Sequence, residues 1–100
     1  MTVTATDFGS SNQVTIEVSG RFDFTCHQAF LDAYKGFPKG EKHFIVDLSQ
    51  ADYMDSSAMG MLLQLREHGD HEAGVSLVNG NADVREILRI ANFDKLFAVA

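Results

Sequence analysis

The alternation of apolar and polar positions divides the chain into short strands and amphipathic helices. Residues 3–8 (VTATDF) and 13–20 (QVTIEVSG) are rich in β-branched side chains, and the GSSN segment between them favours a turn. This pattern predicts a β-hairpin. Further along, strand-like and helix-like segments alternate. The predicted strands cover residues 43–49, 74–79 and 95–100, and the predicted helices cover residues 26–37, 55–69 and 82–93.

Individual residues mark where the predicted helices begin and end. Thr25 is placed to cap the N-terminus of the first helix, which the PKGEK segment ends. Asp55 is expected to cap the second helix by accepting hydrogen bonds from the amides of Ser57 or Ala58. Gly69 follows that helix, at a position where glycine favours termination. The HFIVDLS segment before Asp55 is a continuous apolar run, typical of a buried strand.

The element order is therefore β-β-α-β-α-β-α-β. A hairpin followed by strand–helix alternation predicts an α/β fold in which helices pack on a mixed sheet. The chain has 100 residues and shows no internal repeat, linker or low-complexity segment. We therefore expect one domain over residues 1–100.

Composition restricts the partners and the compartment. Eight Lys and Arg against 14 Asp and Glu give a net charge of −6, and an acidic surface without a basic cluster repels a phosphate backbone. We expect a protein partner and no direct nucleic-acid binding. The sequence has no apolar stretch near the roughly 18 residues of a membrane span and no signal-peptide pattern. Its single cysteine, Cys26, cannot form an internal disulfide. These features predict a cytoplasmic protein.

The predicted second helix has two different faces. At about 100° per residue, an apolar stripe faces the core; it comprises Ala58, Met61, Leu62 and Leu65. The opposite face carries a hydroxyl, bare backbone, an apolar side chain and a charge; it comprises Ser56, Gly60, Leu63 and Glu67.

Gly60 and Leu63 are unusual on a water-facing surface. A glycine inside a helix costs about 0.5–1 kcal/mol relative to alanine, and an exposed leucine hides no surface in a monomer. Taken separately, each has an ordinary explanation, because a glycine permits close helix packing and single exposed leucines are common. Together, in line with Ser56, they predict a flat, partly apolar docking strip.

The hydroxyls of Ser56 and Ser57 admit three explanations. The first is structural, because serine is generally favoured at the start of a helix. The second is that one of the two serines is a nucleophile, and the third is that one of them carries a phosphate. Ser56 would lie in the first helical turn, where free amides and the positive end of the helix dipole tolerate an added anion. A phosphate there would place about −1.5 to −2 charges beside Gly60 and Leu63 and would exclude a partner.

Catalytic and metal sites are disfavoured. A serine nucleophile needs a base within reach, and the sequence has no G-x-S-x-G elbow. The histidines are scattered at His27, His43, His68 and His71. The spacing of His68 and His71 permits metal binding, but a solvated pair near a helix C-terminus is the favoured interpretation. Cys26 and His27 are adjacent and diverge on a helix. We predict no catalytic residue, no metal and no cofactor.

Three segments together resemble the STAS domain of bacterial anti-sigma factor antagonists. They are GRFDF (20–24), FIVDLSQADYMDSSAMGMLLQL (44–65) and ADVREILRIANFDKLF (82–97). The most specific part is the D-S-S-x-x-G signature at Asp55, Ser56, Ser57 and Gly60. The resemblance implies the STAS fold, with a mixed, mostly parallel sheet. Ala58 departs from the glycine of many members, and many members have a final helix beyond the position of Ala100.

The resemblance implies a partner-switching protein. The unphosphorylated form would sequester an anti-sigma factor with a histidine-kinase-like ATPase fold, which frees the sigma factor. The anti-sigma factor would also be a kinase that phosphorylates the serine matching Ser56, which would end the complex. A PP2C-type phosphatase would remove the phosphate and restore binding. The chain would be a substrate without catalysis of its own. Independently of the resemblance, we expect a monomer by default.

The resemblance also assigns supporting residues and leaves one alternative. Asp55, Ser57 and Asp23 would support the phosphosite. The partner would contact a surface made of Ser56, Met59, Gly60, Leu63 and Glu67. STAS-like subunits also sit on the ATPase of lipid-transporting ABC complexes, where the switch is absent; the complete D-S-S triplet favours the signalling role.

Overall fold

The structure, a computed structural model, describes residues 2–7, 12–38, 40, 42–68 and 75–99. Within these residues the strands are β1 (Thr2–Asp7), β2 (Gln13–Phe22), β3 (His43–Met54), β4 (Val75–Val78) and β5 (Ala98–Val99). The helices are α1 (His27–Tyr34), α2 (Ser56–His68) and α3 (Ala82–Ile90), and short 3-10 turns cover Phe24–Cys26 and Phe93–Lys95. The predicted order of strands and helices is confirmed.

The strands form one mixed sheet in the order β1-β2-β3-β4-β5. β1 is antiparallel to β2, and each later strand is parallel to the one before it. The three helices therefore lie in the crossovers between successive parallel strands. Because such crossovers are right-handed and the strand order never reverses, the helices lie on the same face of the sheet. The predicted α/β architecture is confirmed.

Burial alternates along the central strands and marks which face the helices cover. The fully or almost fully buried strand residues are Val14, Ile16, Val18 and Phe22 in β2, Phe44, Val46, Leu48, Ala51 and Met54 in β3, and Val75 and Leu77 in β4. The residues between them are half-buried or exposed, as at Glu17, Ile45 and Asp47. The prediction of a fully buried third strand is therefore wrong, because helices on one side leave the other face of β3 open.

Two predicted boundaries also differ from the structure. Thr25 does not cap the first helix: Asp23 is the N-cap of the 3-10 turn that leads into α1. A carboxylate two positions upstream is a better acceptor for the amide of Thr25 than the Thr25 hydroxyl is for later amides. The last strand covers only Ala98–Val99, because the backbone amides of Leu96 and Phe97 donate to the carbonyl of Phe93 and close a helical turn.

Some predictions lie outside the described residues. They concern most of the GSSN turn, part of the PKGEK segment, Gly69 at the end of the second helix, and His71.

The two-faced character predicted for α2 is confirmed. Its buried residues are the four of the predicted stripe, Ala58, Met61, Leu62 and Leu65. Ser56, Gly60 and Glu67 are exposed, and Leu63 is 40% exposed. The helix packs against α1; its buried face belongs to the same core cluster as the buried strand residues, and its other face is open to solvent.

Leu62 and Leu63 provide a direct test of this orientation. We expect Leu62→Ala to lower the free energy of unfolding by about 2–5 kcal/mol, because it opens a cavity at a fully buried site. Leu63→Ala should lower it by less than about 1 kcal/mol. Urea unfolding followed by circular dichroism measures both. Similar losses for the two variants would contradict the assigned faces.

Candidate functional site

The carboxyl-terminal ends of β2 and β3 lie side by side. Arg21 pairs with Tyr53 and Phe22 with Met54 in the parallel register. The next residue of each strand is an aspartate, so Asp23 and Asp55 occupy neighbouring positions, with adjacent strands about 4.8 Å apart. The predicted proximity of Asp23 to the serine pair is therefore present in the fold.

The buried thiol of Cys26 reports the same proximity. Burial raises the pKa of this thiol, and the negative charges of Asp23 and Asp55 raise it further. The Cys26 sulfur also donates to the backbone carbonyl of Asp23 at 3.0 Å. Cys26 is therefore in contact with the Asp23 backbone, and both carboxylates act on its thiol.

Asp55 caps α2, as predicted. Its Oδ1 atom accepts from the amide of Ser57 at 3.0 Å and from the amide of Ala58 at 3.2 Å. The same oxygen accepts from the Ser57 hydroxyl at 2.6 Å. The amide of Met59 donates to the Asp55 carbonyl at 3.2 Å, which closes the first helical turn. One carboxylate therefore orders the start of the helix.

The two serines have different environments. Ser57 is half-buried and its hydroxyl is bound to Asp55, whereas Ser56 is exposed. A hydroxyl bound to a carboxylate is held away from an external reagent. Ser56 is therefore the serine that a second protein reaches more readily.

The outer face of α2 forms a strip that starts at Ser56 and continues through Gly60, Leu63 and Glu67; we call it the α2 strip. A Cβ atom added at Gly60 would meet no atom of the described residues within 4 Å. Close packing within this part of the chain therefore does not explain the glycine. Met59 is half-buried and packs against the core at the border of the strip.

Asp23 orders the neighbouring 3-10 turn. Its Oδ1 atom accepts from the amide of Thr25 at 3.0 Å and from the Thr25 hydroxyl at 2.5 Å. The Arg21 Nε atom lies 3.5 Å from Asp23 Oδ2. The pKa of Asp23 is lowered chiefly by the Thr25 hydroxyl, with smaller contributions from the Thr25 amide and Arg21, so the carboxylate stays ionised. The D-F-T sequence at 23–25 could have revealed this turn, because it has the same pattern as D-S-S at 55–57.

Comparison with protein families identifies the fold around this site. Residues 6–98 match the family model described as "Mlab, STAS domain". The chain belongs to the STAS-domain family. A STAS-domain containing protein of Pseudomonas aeruginosa (strain UCBPP-PA14) is 46% identical over 101 residues, which cover 100% of both chains. The resemblance to the STAS domain is confirmed.

Solved structures show the same STAS fold. An anti-sigma factor antagonist from Mycobacterium paratuberculosis has a TM-score of 0.79 at 20% identity, covering 98% of this chain and 83% of its own. The anti-sigma factor antagonist SpoIIAA of Bacillus is similar in its unphosphorylated form, with a TM-score of 0.67 at 19% identity and coverage of 98% and 86%. Its phosphorylated form gives 0.63 at 20% identity, with coverage of 98% and 90%.

The described part of this STAS domain contains no cluster of three or more His, Cys, Asp or Glu side chains suited to a metal ion. His68 is half-buried: its Nε2 atom lies 2.6 Å from the Phe37 carbonyl oxygen, and its ring packs edge-on against Tyr34 at 5.1 Å. The prediction of a solvated His68 is wrong, because the end of α2 packs against α1. Nor is any helix of the described residues long and apolar enough to cross a membrane.

Removal of the Asp55 carboxylate tests its role in ordering the helix start. We expect Asp55→Ala to lower the free energy of unfolding of the STAS domain by about 1–2 kcal/mol, since two amides and one hydroxyl lose their acceptor. Asp55→Asn should retain most of the stability, because asparagine also caps helices well. Urea unfolding gives both values.

Asp52→Ala is the matched control, because Asp52 is an exposed carboxylate on β3. Its effect should stay within about 0.5 kcal/mol. Equal effects of Asp52→Ala and Asp55→Ala would mean that net charge, and not the cap, accounts for the change.

Proposed function

We propose that this STAS domain is an anti-sigma factor antagonist that works by partner switching. Its unphosphorylated form binds an anti-sigma factor with a histidine-kinase-like ATPase fold through the α2 strip and so frees a sigma factor. The anti-sigma factor phosphorylates Ser56 and is released, and a PP2C-type phosphatase restores the binding form. The observation that carries the proposal is the exposure of Ser56 in the first turn of α2, beside a Ser57 hydroxyl already bound to Asp55.

The proposed reaction requires little of this chain beyond presentation of a hydroxyl. The Ser56 oxygen attacks the γ-phosphorus of ATP held by the partner, the bond from that phosphorus to the β-γ bridging oxygen breaks, and ADP leaves. The hydroxyl proton passes to a base of the partner. Asp55 keeps the first turn ordered, so the hydroxyl is presented on a rigid element and not on a mobile loop.

A phosphate on Ser56 would change the surface more than the fold. The positive end of the α2 dipole favours an anion in the first turn. The amides of Ser57 and Ala58 are already bound to Asp55, and that carboxylate is itself negative. The two effects on stability oppose each other and are each about 1 kcal/mol or less. A partner packed on the α2 strip would instead have to bury a hydrated dianion, which is strongly unfavourable.

The relatives support this role. The similar structures from Mycobacterium paratuberculosis and Bacillus are described as anti-sigma factor antagonists, and SpoIIAA is described in both a phosphorylated and an unphosphorylated form. The proposal carries that role to this chain, with Ser56 of the D-S-S signature as the phosphorylated serine.

Phosphate labelling tests the acceptor. We expect purified histidine-kinase-like regulators from the source organism, tried one at a time with ATP, to include one that phosphorylates this domain on Ser56. Ser56→Ala should abolish labelling. Ser57→Ala should keep it, because the Ser57 hydroxyl faces Asp55. Mass spectrometry of the phosphopeptide locates the site, and labelling at Ser57, or with none of the regulators, contradicts the proposal.

Binding of the same regulator tests the switch. Ser56→Ala should bind about as tightly as the natural protein, whereas the Ser56-phosphorylated protein should bind at least about 100-fold more weakly. Ser56→Glu should show a smaller loss, because one carboxylate imitates a dianion poorly. Titration calorimetry gives the dissociation constants. Co-purification with a transporter ATPase that is indifferent to Ser56→Glu would instead support an accessory subunit of a lipid-transporting ABC complex.

A further inference from the structure

The two neighbouring strands β2 and β3 end in the same capping arrangement. In each, one aspartate oxygen accepts from the amide and from the hydroxyl of the residue two positions later. Asp23 does so with Thr25, and Asp55 does so with Ser57. Because the strands are parallel and their last residues, Phe22 and Met54, are paired, the two turns lie next to each other at the carboxyl ends of the strands.

The residue between aspartate and hydroxyl occupies the first position of the turn in both cases. In the β3 turn this residue is the exposed Ser56, and in the β2 turn it is Phe24. Phe24 is 71% exposed, more than any other large apolar side chain of the described residues. It stands two positions past Phe22, as Ser56 stands two positions past Met54, and these two strand residues are paired.

Phe24 contributes little to the fold in this position. An exposed phenylalanine hides little apolar surface within the monomer, whereas burial of its ring would be worth about 2–3 kcal/mol. The Asp23 cap nevertheless holds the backbone of Phe24 in a defined turn. An exposed aromatic ring on an ordered backbone is suited to anchor a protein–protein interface, because little backbone entropy is lost on binding.

Two further side chains extend this apolar surface. The Arg21 guanidinium carbon lies 3.8 Å from the centre of the Tyr53 ring, and Tyr53 is 36% exposed. Arg21 also reaches Asp23, which ties the pair to the turn that carries Phe24. We call Phe24, Tyr53 and Arg21 the aromatic patch. Tyrosine, phenylalanine and arginine are the residue types enriched at the centres of interfaces.

We propose that the aromatic patch is a second docking surface for the regulator that phosphorylates Ser56, with Phe24 inserted into an apolar pocket of that regulator. The inference rests on the proposed function. The aromatic patch lies on the β2 side of Ser56, and the α2 strip extends from Ser56 along the helix. A partner that contacts both surfaces would bind on two sides of the Ser56 hydroxyl. The carboxylates of Asp23 and Asp55 favour a partner with basic groups around the pocket.

The test uses the purified regulator that labels Ser56 in the experiment described above. We expect Phe24→Ala to raise its dissociation constant about 30-fold, the usual effect of losing a buried aromatic anchor. The KM of the phosphorylation reaction should rise by a similar factor while kcat changes less than about threefold, since Phe24 docks the substrate and takes no part in the chemistry. Phe24→Leu should lose less.

Ile90→Ala is the matched control. Ile90 is 67% exposed at the end of α3. Because α3 leads from the carboxyl end of β4 to the amino end of β5, Ile90 lies toward the opposite ends of the strands from Ser56. Its replacement should change binding less than about twofold. Thermal unfolding of both variants should match the natural protein, because neither side chain is buried.

The possible outcomes separate this inference from the proposed function. Natural affinity and KM in Phe24→Ala, with Ser56 still phosphorylated, overturn the inference and leave the proposed function standing. A dimer of the natural protein that Phe24→Ala dissociates, without loss of regulator binding, also overturns it, because a second copy then covers the ring. Absence of phosphorylation of the natural protein by every regulator removes both proposals. A selective loss in Phe24→Ala supports the inference.

Discussion

The carboxylate of Asp55 determines which side chains of this STAS domain face outward. By accepting from two amides and one hydroxyl, it fixes the start of α2 immediately after β3. The helical phase then follows, with Leu62 in the core and Leu63 toward solvent. A start one residue later would turn every side chain by about 100° around the axis. The exposure of Ser56, and with it the proposed switch, depends on this cap.

The parallel pairing of β2 with β3 places a second capped turn beside the Asp55 cap. Two strands that end in register at Phe22 and Met54 place the Asp23 turn beside the Asp55 turn. Loops at the carboxyl ends of parallel strands are the common location of binding sites in α/β proteins. Here the carboxyl ends of the strands combine an exposed hydroxyl, an apolar strip and an exposed aromatic ring on a framework that the core orders. The proposed phosphorylation and docking would both use this framework, because both need a fixed backbone and exposed side chains.

The sequence predicts the parts of this site that depend on local periodicity. The spacing of Ala58, Leu62 and Leu65 defines the phase of α2, and the Asp55 cap follows from residue type. The Asp23 turn is equally local, but residue type and position favour Thr25 as the cap, whereas in the structure its amide and its hydroxyl both donate to the carboxylate upstream. The exposure of Phe24 could not be predicted, since an apolar residue is expected inside. Its place beside Ser56 depends on long-range strand register, which no short segment encodes.

The most direct test of the account is a map of the surface that the regulator covers. Unlabelled regulator would be titrated into the ¹⁵N-labelled domain, and amide chemical-shift changes would be followed by NMR. We expect the changes to concentrate in residues 21–25 and 53–63, and to vanish when Ser56 is phosphorylated. Changes centred on α3, or on the open face of the sheet away from Arg21 and Tyr53, and unaffected by phosphorylation, would contradict the account.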